Sequence, residues 1–100
     1  MNKLFVCNQG KYGSRTAATL FNGRYVGLYS SKKLKSEDLE WADIVYVFEE
    51  LQRSEIAKRF PKEYLKKRIL NLDIADIYGY MDKKLVDKLK LTDAGKIARL

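Results

Sequence analysis

Apolar residues gather in four short runs, and the stretches between them carry helical spacing. Lys3–Cys7 (KLFVC), Arg24–Tyr29 (RYVGLY), Asp43–Phe48 (DIVYVF) and Arg68–Leu72 (RILNL) each read as a strand. The third run is nearly continuous in apolar residues, the pattern of a strand covered on both faces. Thr16–Phe21, Ser36–Ala42 and Glu49–Phe60 predict helices, and Asp82–Leu100 predicts a last one with Leu85, Val86, Leu89 and Leu91 on its apolar side. The punctuation agrees with this division. Ser14 is the expected N-cap of the first helix, and Asn22-Gly23 stops it. Ser36 caps the second, with Glu37 and Asp38 in its first turn. Pro61, the only proline, ends the third, with one further turn over Tyr64–Lys67. Thr92 is placed to cap a last turn after a break near Thr92–Gly95.

Strand and helix therefore alternate four times. This predicts an α/β fold, a three-layer sandwich in which a four-stranded parallel sheet is flanked by helices, as one domain over residues 1–100. Ligands of such sheets bind beyond the carboxyl ends of the strands, near the switch in strand order. Cys7, the Gly-containing loop Asn8–Gly13 and the carboxylates Asp73 and Asp76 all fall just past strand ends. The topology brings them to one rim.

Composition narrows the chemistry available there. The chain of 100 residues has no His, which excludes His bases, His metal ligands and Ser-His-Asp or Cys-His catalysis. One Cys forms no intramolecular disulfide and no Cys-based zinc site. No apolar run approaches the roughly 20 residues of a membrane span, and the apolar part of the N-terminus is too short for a secretory signal. The expectation is a cytoplasmic protein without metal or cofactor. Seven Tyr, four Phe and one Trp are enough to fill a core. The formal charge is +7, and residues 1–36 carry bases (Lys3, Lys11, Arg15, Arg24, Lys32, Lys33, Lys35) but no acid, whereas residues 37–100 are neutral overall. A basic zone of this kind draws an anion: a phosphorylated substrate, a nucleic acid or an acidic protein surface.

A Cys at a strand end, facing a helix N-terminus through a short loop, has a physical consequence. The helix dipole and its unpaired N–H groups favour the thiolate, and the same N–H groups cradle an anion. A thiolate beneath such a cradle is set for attack at phosphorus, with a nearby Asp to protonate the departing oxygen. The alternative is a buried Cys packed as a small hydrophobe.

Leu4-Phe5-Val6-Cys7, followed by a loop and Ser14, resembles the start of the low-molecular-weight protein tyrosine phosphatases, which carry Cys-x5-Arg-Ser/Thr between the first strand and first helix. The closer resemblance is to the short bacterial group of predicted tyrosine phosphatases of about this length. Leu39–Glu49 (LEWADIVYVFE), Arg59-Phe60-Pro61 and Leu72–Asp82 (LDIADIYGYMD) carry it along the chain. The resemblance implies that Cys7 is the nucleophile, that the phosphate loop comprises Asn8, Gln9, Gly10, Lys11, Tyr12, Gly13 and Ser14, and that Ser14 steadies the thiolate. Asp76 matches the general acid, with Asp73 in reserve as a loop residue of the same kind. Tyr78 and Tyr80 either line the substrate pocket or cover the sheet end.

One departure bears on activity. The Arg of the family's loop should stand six residues after the Cys, and Gly13 stands there. Arg15 restores the pair only if two residues are inserted in the loop; Lys11 offers a point charge without a bidentate grip. Three functions follow. The first is a phosphomonoesterase acting on phosphotyrosine proteins or small aryl phosphates through a phosphocysteine. The second is a pseudophosphatase that binds a phosphate or phosphoprotein. The third is a phosphocysteine carrier, for which an acid such as Asp76 is not expected. Arsenate reduction by thiol coupling needs further Cys residues. The Lys32-Lys33-Leu34-Lys35 run reads as a solvated loop rather than a nucleic-acid contact.

Overall fold

The computed structural model describes residues 1–30 and 32–98, with side chains through residue 96. Ten elements follow in order: β1 (Lys3–Cys7), α1 (Gly13–Phe21), β2 (Arg24–Gly27), α2 (Ser36–Trp41), β3 (Ile44–Val47), α3 (Glu50–Arg59), α4 (Pro61–Lys66), β4 (Arg68–Asn71), α5 (Lys83–Lys90) and α6 (Asp93–Ala98). The strands form one parallel sheet in the order β2-β1-β3-β4. β1 and β3 occupy its centre, and they are the most continuously apolar runs of the sequence. The edge strands β2 and β4 begin with exposed Arg24 and Arg68, charges that discourage further strand pairing. The loop after β2 also closes that edge, because Gly27 exchanges backbone hydrogen bonds with Lys32 and Leu34.

Alternation along each central strand divides the core into two layers. Phe5, Cys7, Ile44, Tyr46 and Phe48 point toward α1, α5 and α6, where Ala17, Phe21, Leu85 and Leu89 meet them. Leu4, Val6, Val45 and Val47 point the other way, onto Leu34, Leu39 and Ile56 from α2, α3 and the loop before them. This period of two is the pleat of the strand expressed as packing. The chain leaves β1 toward β2 on one side and reaches β3 on the other, so the switch point lies between the ends of β1 and β3. Cys7 and Phe48 are at that position.

Several helix boundaries differ from expectation. α1 begins at Gly13, with Tyr12 in the cap position and the Tyr12 carbonyl accepting from Thr16 N at 2.9 Å. Ser14 is thus inside the helix, and its hydroxyl is free for another partner. In α2 the cap position belongs to Lys35, whose N–H donates to the Asp38 carboxylate at 2.9 Å, and Ser36 is the first helical residue. Pro61 ends α3 and also opens α4, since its fixed φ and missing N–H suit a first turn. Asn22 adopts φ 57 to stop α1. The break expected near Thr92 separates α5 from α6, and Thr92 Oγ1 accepts from Gly95 N at 3.4 Å. Residues 99–100 of the predicted last helix, and Ser31 of the basic loop, lie outside the described residues.

Tyr46 is fully buried and stacks on Phe5 with ring centroids 5.2 Å apart. Its hydroxyl has no hydrogen-bond partner among the described residues. Burial pushes its phenol above the ordinary value, Arg68 opposing and Asp93 reinforcing that shift. An unsatisfied buried hydroxyl costs about 1–3 kcal/mol. Tyr46→Phe should therefore raise the urea midpoint at pH 7 by an amount equivalent to about 1 kcal/mol. The unfolded chain also releases this proton before the folded one does as pH rises through about 10, so the native state loses stability there. Tyr46→Phe should unfold less steeply with alkali, and equal midpoints and equal alkaline slopes would contradict this account.

Candidate active site

β1 delivers Cys7 to the switch point with its thiol under the following loop. The thiol is 1% exposed. Ser14 Oγ stands 3.0 Å from Cys7 Sγ, and the Gly10 N–H donates to Sγ at 3.1 Å. Both contacts suit a thiolate, which accepts what a thiol accepts only weakly. Gly13, Ser14 and Arg15 form the first turn of α1, and first-turn N–H groups have no intrahelical acceptor. The loop thus puts Cys7 at the positive end of a nine-residue helix.

The loop rests on the end of β2 through two glycines. Gly10 has φ +66, and a Cβ on it would stand 2.6 Å from Gly27 N. A Cβ on Gly27 would stand 2.6 Å from the Gln9 carbonyl carbon. The chains approach too closely for any other residue at either position, and Tyr29 N–H and Leu28 N–H tie the same segments together through the carbonyls of Asn8 and Cys7.

Asp76 reaches the loop from the opposite side. Its Oδ2 accepts from Asn8 N at 2.8 Å and from Gln52 Nε2 at 2.9 Å, while its own N–H donates to Glu49 Oε2 at 2.6 Å. Gln52 also donates to Asn8 Oδ1 at 3.2 Å. Asn8, Gln9, Tyr12, Asp76, Ile77, Tyr78 and Gly79 surround an open cavity of about 460 Å³. Two aromatic rings and a carboxylate therefore border a cavity beside the loop, whose lining includes Asn8, Gln9 and Tyr12 but not the buried Cys7. Asp73 does not share this cavity. It has φ 56 and lines a separate depression beside Tyr46, Leu70 and Lys88.

The basic residues are distributed unevenly. The Arg15 guanidinium lies over the Tyr80 ring, 4.2 Å from its centroid, and Thr19 Oγ1 is 3.3 Å from Tyr80 Oη. Tyr80 is thereby engaged with α1 and does not line the cavity. Lys11 is exposed on the loop. At Gly13, a Cβ would meet the Phe48 ring at 3.0 and 3.2 Å, so the aromatic ring occupies the space beside that backbone position. Sequence reasoning passed over Gln52 and Glu49. Both lie in a run of charged and polar residues opening a helix, and only the burial of Gln52 (1% exposed) distinguishes it. Among the described residues no cluster of three or more His, Cys, Asp or Glu is placed to hold a metal ion, and no helix is long and apolar enough to cross a membrane.

No protein-family model matches the sequence, and no characterised protein matches it by sequence. The folded chain, however, superposes on solved phosphatases. A YwlE mutant from Bacillus subtilis matches with TM-score 0.82 at 19% identity, over 99% of this chain and 97% of that one. A YwlE arginine phosphatase mutant carrying a phosphorylated active-site serine matches with TM-score 0.83 at 18% identity, over 99% and 94%. The tyrosine phosphatase Wzb from Escherichia coli K30, in complex with phosphate, matches with TM-score 0.69 at 14% identity, over 98% and 96%. The fold is that of these phosphatases. The α/β architecture expected from the alternation of elements, and from the family resemblance, is the one found.

The glycine contact gives a test of the loop's support. Gly10→Ala should destabilise the protein by about 2–4 kcal/mol, since it combines positive-φ strain with overpacking. Gly79→Ala, at a glycine with nothing within 4 Å of the added carbon, should stay within about 0.5 kcal/mol of the unmodified protein. Urea unfolding of the two variants side by side measures both, and similar midpoints would remove the glycine contact as the loop's support.

Proposed function

We propose that this chain is a cysteine-dependent phosphomonoesterase of low turnover, acting on phosphotyrosine or a small aryl phosphate. The observation that carries the proposal is the Cys7 thiol held between Ser14 Oγ and the Gly10 N–H at the start of α1. In this reading the Cys7 thiolate attacks phosphorus in line. The S–P bond forms, the P–O bond to the aryl group breaks, and Asp76 gives its proton to the departing oxygen. Water then attacks the phosphocysteine, Asp76 takes its proton, and phosphate and thiolate are released. Asp76 is bonded to Asn8 N, the residue next to the nucleophile. Tyr12 and Tyr78 supply flat walls for an aryl ring. First-turn N–H groups of α1, with Lys11 on the loop, supply the positive field for the phosphoryl oxygens. The fold shared with tyrosine and arginine phosphatases supports the reaction class.

Turnover is low in this reading because no guanidinium is placed in the loop. Gly13 has no side chain, and Arg15 is stacked on Tyr80. Losing one preorganised donor at a developing charge costs about 10²–10³ in rate. The Phe48 ring beside Gly13 favours a second reading, a pseudophosphatase that binds a phosphorylated partner.

Steady-state hydrolysis of 4-nitrophenyl phosphate separates the two. Slow turnover that disappears in Cys7→Ser is the expected result. Gly13→Arg combined with Phe48→Leu, which makes room for the new side chain, should then raise kcat/KM by about tenfold or more. If the unmodified protein shows no Cys7-dependent turnover yet binds a phosphotyrosine peptide, the phosphatase reading fails and the binder takes its place.

A further inference from the structure

Among the described residues, Gln52 is the one buried polar side chain that joins the start of α3, the loop after β1 and the loop after β4. It lies in the first turn of α3. Its Oε1 accepts from Phe48 N at 2.8 Å and from Glu49 N at 3.1 Å. Its Nε2 donates to Asp76 Oδ2 at 2.9 Å and to Asn8 Oδ1 at 3.2 Å. A carboxamide has two acceptor positions and two hydrogens, and all four are used. The orientation is therefore fixed by chemistry. Two backbone N–H groups meet one end of the amide, so that end is the oxygen. The end that faces Asp76 and Asn8 is the nitrogen.

This orientation restricts Asp76. Its Oδ2 receives two N–H donors, one from Asn8 N and one from Gln52 Nε2. A proton on Oδ2 would point an O–H at groups that are themselves donors, and one of those hydrogen bonds would be lost. Protonation at Oδ1 leaves both intact. Glu49, whose Oε2 accepts the Asp76 N–H, fixes the backbone of the same residue. The carboxyl group is thus held at two points and its backbone at a third, and only one of its oxygens is free to carry a proton.

We propose that Gln52 is a positioning residue that holds Asp76 against the Cys7 loop and confines its acidic proton to Oδ1. The use of that proton on a leaving group rests on the phosphatase reading; the confinement itself does not. A correctly placed general acid contributes about 10²–10⁴-fold, and the contribution grows as the leaving group becomes more basic. Gln52 therefore matters most for substrates that need the proton.

The experiment has two readouts. The first is the Gln52 side-chain NH₂ in the ¹⁵N spectrum of the intact protein, identified by its disappearance in Gln52→Glu. Both protons should exchange slowly with solvent and stand away from the free-carboxamide positions, and Asp76→Ala should return the proton that faces Asp76 to its free position and speed its exchange. Protons that exchange freely, or that ignore Asp76→Ala, overturn the proposal. This readout needs no turnover, so it still decides the placement of Asp76 if the protein proves to be a binder.

The second readout compares phenyl phosphate with 2,4-dinitrophenyl phosphate. Gln52→Ala should lower kcat/KM, which reports the steps through departure of the aryl group and not the hydrolysis shared by both esters, about tenfold or more on phenyl phosphate and less than about threefold on the dinitrophenyl ester. An equal loss on both substrates is the signature of a structural role and overturns the proposal. Gln52→Glu guards against a folding defect. It retains an oxygen for Phe48 N and Glu49 N but puts a second carboxyl against Asp76, so the acidic proton is shared across Oδ2 instead of kept on Oδ1, and the same discrimination between leaving groups is expected. Turnover on neither ester sinks the phosphatase reading, and the carboxamide protons alone then decide the role of Gln52.

Discussion

The hydrogen bond from Asn8 N–H to the Asp76 carboxylate joins residues 68 positions apart in sequence, and the site exists only where it forms. β1 can end at Cys7 and α1 can begin at Gly13 without it. The long segment between β4 and α5 would then lose its direct tie to the Cys7 loop. Tyr80 is stacked under Arg15, Asp76 also meets Gln52 and Glu49, and two backbone anchors flank it: Ile74 N–H reaches the Phe48 carbonyl at 2.9 Å, and Met81 N–H reaches Thr16 Oγ1 at 2.9 Å. Between those two anchors, Asp76 is where the segment meets the backbone of Asn8, next to Cys7. When the carboxylate is ionised the bond is charge-assisted, a class about twice as strong as a neutral pair. It is also only partly exposed, where screening is reduced. Sheet topology supplies the opportunity, since β1 and β3 end side by side at the switch point, and Gln52 at the start of α3 completes the triangle.

What the sequence revealed, and what it concealed, divides along local and non-local lines. The four strands were legible because a buried parallel strand needs an apolar run, and no other element of this chain produces one as dense as Ile44–Phe48. The assignment of Cys7 to a strand end was legible for the same reason. Helix starts were less so. Ser14 has the side chain of a cap, and by local preference it belongs outside the helix. The structure places it two positions past the cap, because Tyr12 offers the first carbonyl and the hydroxyl is taken by Cys7 Sγ. Gln52 could not be found by pattern. It stands in a polar stretch (EELQRSE) whose other members face solvent or sit at the rim, and its burial depends on a loop that arrives from the far end of the chain. Likewise nothing local separates Asp73 from Asp76. Their three-residue spacing sends them to different depressions because the backbone turns through φ 56 at Asp73.

The basic first third of the chain illustrates a distinction between field and grip. The sequence presents a block of unpaired cations, and a long-range attraction for anions follows from that alone. The structure engages several of them with aromatic rings: Arg15 with Tyr80, Arg24 with Trp41 at 3.9 Å, and Lys32 with Tyr25 at 3.8 Å. A stacked cation keeps its charge, so it still contributes to the potential an anion meets. The stack fixes where its N–H groups lie, and that of Arg15 holds them over Tyr80, outside the cavity lined by Asn8 and Asp76. Arg15 is the instructive case, because it sits two residues beyond Gly13 and its stacking also holds Tyr80 and the late loop against α1. Moving Arg15 into the loop would exchange a support of the site for a ligand of the phosphate. If the proposed function holds, a chain arranged in this way would attract phosphate through its field and bind it through backbone N–H groups. Binding by such a cradle therefore depends less on the missing guanidinium than phosphoryl transfer does, since the transition state gains most from a fork aimed at developing charge.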